Sequence, residues 1–157
     1  SALLVQGSMG SLRHERLYDS EYVCVMRRGH PLADQELTLD AFCAADHLLV
    51  SFSGRAQGLV DQALTQLSRR RRIMLTVNQY YTAGRVVARS DLLTVLPAFF
   101  VEATGRKPDL LERPLPFALA GIHVALLWHM RHDRVSAHQW LRARIADAAQ
   151  STSGDLV

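Results

Sequence analysis

Apolar runs broken at intervals by polar and glycine-containing stretches divide this chain into strands and helices. The clearest unit lies between His47 and Leu67. His47-Leu48-Leu49-Val50 suits a strand buried on both faces, and Ser51-Phe52-Ser53-Gly54-Arg55 then supplies small polar residues and a glycine where the direction must change. Leu59, Val60, Ala63, Leu64 and Leu67 follow at helical spacing. Open sheets bind ligands beyond the carboxyl ends of their strands, where helix N-termini aim free N–H groups outward. Ser51 to Gly58 is therefore the first candidate for holding a small anion, against the plainer reading of a simple connection.

The same grammar recurs downstream. Ile73 to Val77 reads as a second buried strand, Asn78-Gln79 as its polar exit, and Tyr80 to Ala88 as the next helix. Leu92 to Leu96 makes a third strand, Pro97 suits the first turn of a helix with Ala98 to Ala103 as its body, and Gly105 ends it. Repeated strand, loop and helix is what a parallel α/β layer demands, so residues 47–105 are expected to hold three strands with their loops on one rim. Upstream, Leu3 to Val5 reads as a short strand, Leu12 to Ser20 as an extended approach carrying Leu17 and Tyr18 inward, and Tyr22 to Met26 as a central strand stopped by Arg27-Arg28-Gly29-His30-Pro31. Thr38 is placed to cap a short helix bearing Leu39, Phe42 and Cys43. Downstream, Leu110 to Pro116 is extended because each proline disfavours helical geometry before it. His123 to Trp128 is a strand, and the last helix starts at Ser136 with a Ser136/Gln139 capping box and a periodic face of Trp140, Leu141, Arg144, Ile145 and Ala148.

Composition narrows the function classes. The 157 residues are 48% hydrophobic, enough for a real core, and 18 basic against 15 acidic residues leave a net charge of +3, too small an excess to demand a nucleic-acid partner by itself. Arg69-Arg70-Arg71-Arg72 reads better as a solvated turn at a helix end than as a phosphate site, since no aromatic residues interleave it. Cys24 and Cys43 sit among apolar residues, which fits reduced, buried thiols better than a disulfide framework. The sequence has no uncharged apolar run long enough to span a membrane and no signal-like start, so the expected setting is soluble and cytoplasmic, with no membrane partner. His129 and His132, with His123, Asp133 and His138 nearby, raise a metal site, but the surrounding arginines oppose one; no metal or other cofactor is expected. Ser51 and Ser53 have no G-x-S-x-G elbow, the cysteines have no activating histidine, and no P-loop occurs. Catalysis is a poor explanation.

Two blocks carry a resemblance: Leu17-Tyr18-Asp19-Ser20-Glu21-Tyr22-Val23-Cys24-Val25-Met26-Arg27-Arg28-Gly29-His30-Pro31-Leu32-Ala33, and Ser90-Asp91-Leu92-Leu93-Thr94-Val95-Leu96-Pro97. In this order, with Leu37 to Asp40, the Ser-x-Ser-Gly loop at Ser51 and the closing strand and helix, the chain resembles the effector-binding domain of LysR-type bacterial transcriptional regulators nearly end to end. The resemblance implies an α/β, two-lobed, periplasmic-binding-protein-like fold with mixed sheets. Lobe one would comprise residues 1–46 and 117–157, and lobe two with its return crossover residues 47–116. It implies no enzyme but a regulatory domain sensing a small organic effector, aromatic or carboxylate-bearing, in the interlobe cleft. Ser51, Phe52, Ser53, Gly54 and Arg55 would approach the effector from lobe two with Asn78, Gln79 and Tyr80 across the rim, and Gly7 and Ser8 would approach from lobe one. The family's DNA-reading winged helix-turn-helix and the opening units of lobe one have no counterpart in these residues. The expectation is thus a first lobe incomplete at its N-terminus, promoter DNA reached only through an absent domain, and a homodimer or homotetramer of the complete protein using the Leu59 to Leu67 helix. The alternative is a stand-alone solute-binding module without transcriptional output.

Overall fold

The computed structural model describes residues 11–52 and 58–154. The chain divides into two compact units, one of Ser1–Ser20 with Gly121–Val157 and the other of Glu21–Ala120. The strand expected at Leu3 to Val5 lies outside the described residues.

The Glu21–Ala120 unit is built on strands whose partners are far apart in sequence. β2 (Tyr22–Arg27) is flanked by β5 (Thr94–Pro97) and β6 (Leu110–Pro114), both antiparallel to it. β3 (Asp46–Val50) pairs in parallel with β4 (Arg72–Val77). A parallel bridge between His47 and Leu93 joins the two sets, with Leu48 N–H donating to Leu93 O and Leu93 N–H to Asp46 O, each at 2.8 Å. The resulting order is β4-β3-β5-β2-β6.

Alternation along β2 sorts the core into two layers. Cys24 and Met26 join Phe42 of α1 (Leu39–Ala44) and Val60 and Leu64 of α2 (Leu59–Gln66) on one side. Val25 joins Ala83 and Val87 of α3 (Tyr80–Val87) and Val101 of α4 (Ala98–Ala103) on the other. A strand covered on both faces must be apolar throughout, which is why Tyr22 to Met26 reads as an unbroken run. Thr38 caps α1 by accepting from Ala41 N–H at 3.2 Å. Pro97 stands at the N-cap of α4, and Gly105 follows that helix with φ +66°, the left-handed geometry glycine tolerates. At Gly84 of α3 a Cβ would collide with the Thr104 side chain, so the missing side chain is what lets α3 lie against the end of α4.

The other unit is simpler. β1 (Leu12–Ser20) and β7 (Ile122–His129) form an antiparallel pair with an irregularity between Arg16 and Tyr18, so Leu17 and Tyr18 turn partly inward. α5 (Ser136–Gly154) follows a short 3₁₀ turn at Met130–His132. Its first helical residue is Ser136, and Gln139 N–H donates to Val135 O, so Ser136 sits one position inside the cap expected for it. The face read from periodicity differs as well: Trp140, Leu141 and Ile145 are exposed, and the sheltered positions include His138, Arg142 and Ala146. Arg142 explains the change. Its guanidinium lies 4.3 Å over the Trp128 ring while donating to the carbonyls of His132 and Asp133, so a cationic side chain fills the place expected for an apolar one.

The boundaries at 20/21 and 120/121 differ from those expected at 46/47 and 116/117. Pairing is the reason: β2 is hydrogen-bonded to β5 and β6 on both edges, which ties residues 21–46 to the middle of the chain.

Candidate functional site

β3 and β4 end side by side, and Ser51 N–H continues the ladder by donating to Val77 O at 2.8 Å. Beyond this edge the Glu21–Ala120 unit holds a cavity of about 210 Å³. Its walls are mostly apolar. Leu48, Val50, Val95 and Leu119 contribute, together with Tyr22 and Tyr80, while the first turn of α2 at Gly58 to Val60 closes one side. The residues on the wall with polar side-chain groups are Ser51, Arg71 and the two tyrosines. An engineered cavity of about 150 Å³ accepts benzene, so this volume suits one ring with a small substituent.

Of the residues expected at the site, Ser51, Phe52 and Tyr80 line this cavity together. Phe52 is 72% exposed, and its ring meets Tyr80 edge-on with centroids 5.3 Å apart. Tyr80 in turn lies 4.4 Å from Phe100, which is 4.2 Å from Phe99, so a row of aromatic contacts runs from the loop to α4 behind the cavity-lining rings. Burial, and then the neighbouring Tyr22, push the Tyr80 phenol up to about 12, which keeps it a neutral donor at any physiological pH. Asn78 and Gln79 are exposed at the end of β4 and the start of α3 and do not line the cavity. Gly7, Ser8, Ser53, Gly54 and Arg55 lie outside the described residues.

Arg71 is the site residue that sequence reasoning missed. Far from lying in a solvated turn, its side chain is 2% exposed. Nε donates to Asp61 Oδ1 at 2.8 Å and Nη2 to Oδ2 at 3.1 Å, a bidentate pair that fastens the start of β4 to the first turn of α2. Asp61 Oδ2 also accepts from Gly58 N–H at 2.7 Å. Burial alone would raise the Asp61 carboxyl, but the bonds and charge of Arg71, with the Gly58 N–H, hold it below the usual range. His47 completes the cluster. Its Nε2 donates to Phe42 O at 2.7 Å, which fixes the tautomer and turns the Nδ1 lone pair toward Arg71 Nη1 at 3.5 Å. Burial first, and the Arg71 charge against the Phe42 bond, lower His47 to about 4. The only signal for this in sequence is that Asp61, in the first turn of one element, precedes an arginine at the start of the next. Arg69 and Arg72, by contrast, are exposed and pair with Asp40 and Asp46.

Among the described residues, no group of three or more His, Cys, Asp or Glu is placed to hold a metal ion, and no helix is long and apolar enough to cross a membrane. His132 and His138 stack at 4.3 Å, and Arg131 Nε donates to His132 Nε2. Cys24 and Cys43 are free thiols, and burial pushes Cys24 up to about 12, so it behaves as a small core residue.

Comparison with known proteins places this architecture. The chain is 33% identical over 132 residues to NahR, an HTH-type transcriptional activator of Pseudomonas putida, covering 84% of this chain and 44% of NahR. It is 36% identical over 147 residues to SyrM, an HTH-type transcriptional regulator of Rhizobium meliloti strain 1021, covering 93% of this chain and 44% of SyrM. The chain thus spans less than half the length of the curated relatives it matches. The crystal structure of the regulatory domain of MexT, a transcriptional activator in Pseudomonas aeruginosa, superposes with a TM-score of 0.73 at 28% identity, covering 87% of this chain and 67% of that one. The family described as the LysR substrate binding domain matches residues 3–150. With nearly the whole chain matched and the mixed α/β architecture shared, this protein belongs to the LysR substrate-binding-domain family, the effector-binding regulatory part of LysR-type regulators.

Proposed function

We propose that this chain senses a small organic effector, aromatic or carboxylate-bearing, in the cavity beyond β3 and β4, and that occupancy is relayed to promoter DNA by the complete regulator. The observation that carries this is the cavity itself, about 210 Å³ with an aromatic wall at Tyr80 and Phe52 and a hydroxyl at Ser51. Mostly apolar walls with few polar groups are what small-molecule sites share, the walls supplying affinity and the polar groups fixing orientation. In the complete protein, DNA contact belongs to a separate helix-turn-helix domain of the kind named in the relatives. The regulator works in the cytoplasm as a homodimer or homotetramer, and the effector acts by favouring one arrangement of its subunits.

Filling the cavity provides the test. Val95 lies on the cavity wall within β5, and Val95→Phe is expected to abolish binding of single-ring aromatic ligands, read as loss of ligand-induced NMR shifts at Val50 to Phe52 and Tyr80, while the domain stays folded. Unchanged shifts in that variant would place the effector elsewhere. In the complete regulator, an effector that left both promoter-complex geometry and transcription unaltered would end the sensing role.

A further inference from the structure

Arg71 has binding capacity that the fold does not use. A guanidinium carries five N–H donors in fixed directions. Two are taken by Asp61, at 2.8 and 3.1 Å, and a third faces His47 Nδ1 at 3.5 Å. The remaining two, one on each terminal nitrogen, have no acceptor among the described residues. They belong to a side chain that is 2% exposed and borders the cavity. A buried charged donor without an acceptor is costly, and an acceptor brought into the cavity recovers that cost.

We propose that Arg71 anchors the carboxylate of a single-ring organic acid in this cavity, and that Asp61 sets the affinity by competing for the same guanidinium. The inference rests on the effector reading of the cavity and names the ligand class and the residue that selects it. The remaining acceptor group must be compact and planar enough to meet two N–H groups of one fork, which a carboxylate does. The rest of the ligand must be apolar and about the size of one ring, because the cavity that Arg71 borders is otherwise lined largely by apolar and aromatic residues, Leu48, Val95 and Tyr80 among them. A monoanion is preferred to a dianion, since Asp61 already faces Arg71 and repels each added negative charge. His47 is neutral at pH 7 and adds no positive charge of its own.

A purely structural Arg71–Asp61 strut and a ligand anchor respond oppositely to loss of the Asp61 charge. Titration calorimetry of the 157-residue chain at pH 7, with benzoate and its neutral isostere benzamide as probes, separates them. The anchor requires benzoate to bind at least about tenfold more tightly than benzamide. In Asp61→Asn, benzoate affinity is expected to rise several-fold while that of benzamide stays level, because the guanidinium is released from its internal competitor. Equal binding of the two probes to the unsubstituted domain overturns the anchor and leaves the cavity reading intact. Binding of neither probe overturns both. Should Asp61→Asn not fold, the comparison of probes on the unsubstituted domain still decides, and a folded Asp61→Asn that binds both probes more weakly restores the strut.

Discussion

Only the neutral form of His47 suits both of its neighbours. The Phe42 carbonyl accepts the Nε2 proton, and a second proton on Nδ1 would set an imidazolium against the Arg71 guanidinium inside the core, with Asp46 and Asp61 as partial compensation. The unfolded chain protonates this ring near the ordinary value of 6.5, the folded protein only near 4. Between those values the unfolded state binds more protons, so stability falls as pH drops through the window and levels off below it. The loss attributable to His47 is on the order of 3 kcal/mol. Urea denaturation at pH 7, 5.5 and 4.5 should show this decline, and His47→Gln, which keeps a donor for Phe42 but does not titrate, should flatten it. A slope unchanged by that substitution would assign the decline to other groups. Asp61 acts in a separate window: its lowered carboxyl stabilises the fold above the ordinary carboxylate range, and that contribution is lost only as pH falls further.

At the scale of elements, the four consecutive arginines show what a sequence reveals and what it hides. Hydrophobic periodicity located β3, α2, β4 and α3 because each presents its own apolar pattern within a few residues. The cap at Thr38 and the glycine after α4 were legible for the same reason, since capping chemistry is local. Arg71 was not legible, because its burial depends on α2 bringing Asp61, ten positions earlier in the chain, back to it. Arg69 and Arg72 have the same composition around them and lie exposed. Substitution should separate the three. Arg71→Met leaves a sheltered carboxylate unpaired and is expected to cost about 3–5 kcal/mol in denaturant titration. Arg69→Ala and Arg72→Ala each remove a surface pair and should cost less than about 1 kcal/mol. Three equal costs would mean that the Asp61 pair has no special part in joining α2 to β4.

The division of the whole molecule follows from strand pairing over long sequence distances, which is why β2 is recognisable as a central strand while its neighbours are not. Nothing in Tyr22 to Met26 indicates that its partners lie at Thr94–Pro97 and Leu110–Pro114. The consequence is energetic. Among the described residues, every fully buried apolar side chain, from Cys24 to Leu110, belongs to Glu21–Ala120, and both core clusters are complete within it. Ser20, just before this segment, pairs with Ile122, just after it, so the two ends of the segment are held close together. A segment with its own core and adjacent ends satisfies the physical definition of a domain. A polypeptide of residues 21–120 is therefore expected to fold alone, with near-ultraviolet and far-ultraviolet signals lost in one coincident thermal transition. It should retain the Asp61–Arg71 pair and, with it, the preference for benzoate over benzamide. Transitions that separate, or binding of a hydrophobic dye at neutral pH, would show that the core requires the flanking strands after all, and the cavity would then have to be treated as a property of the whole chain.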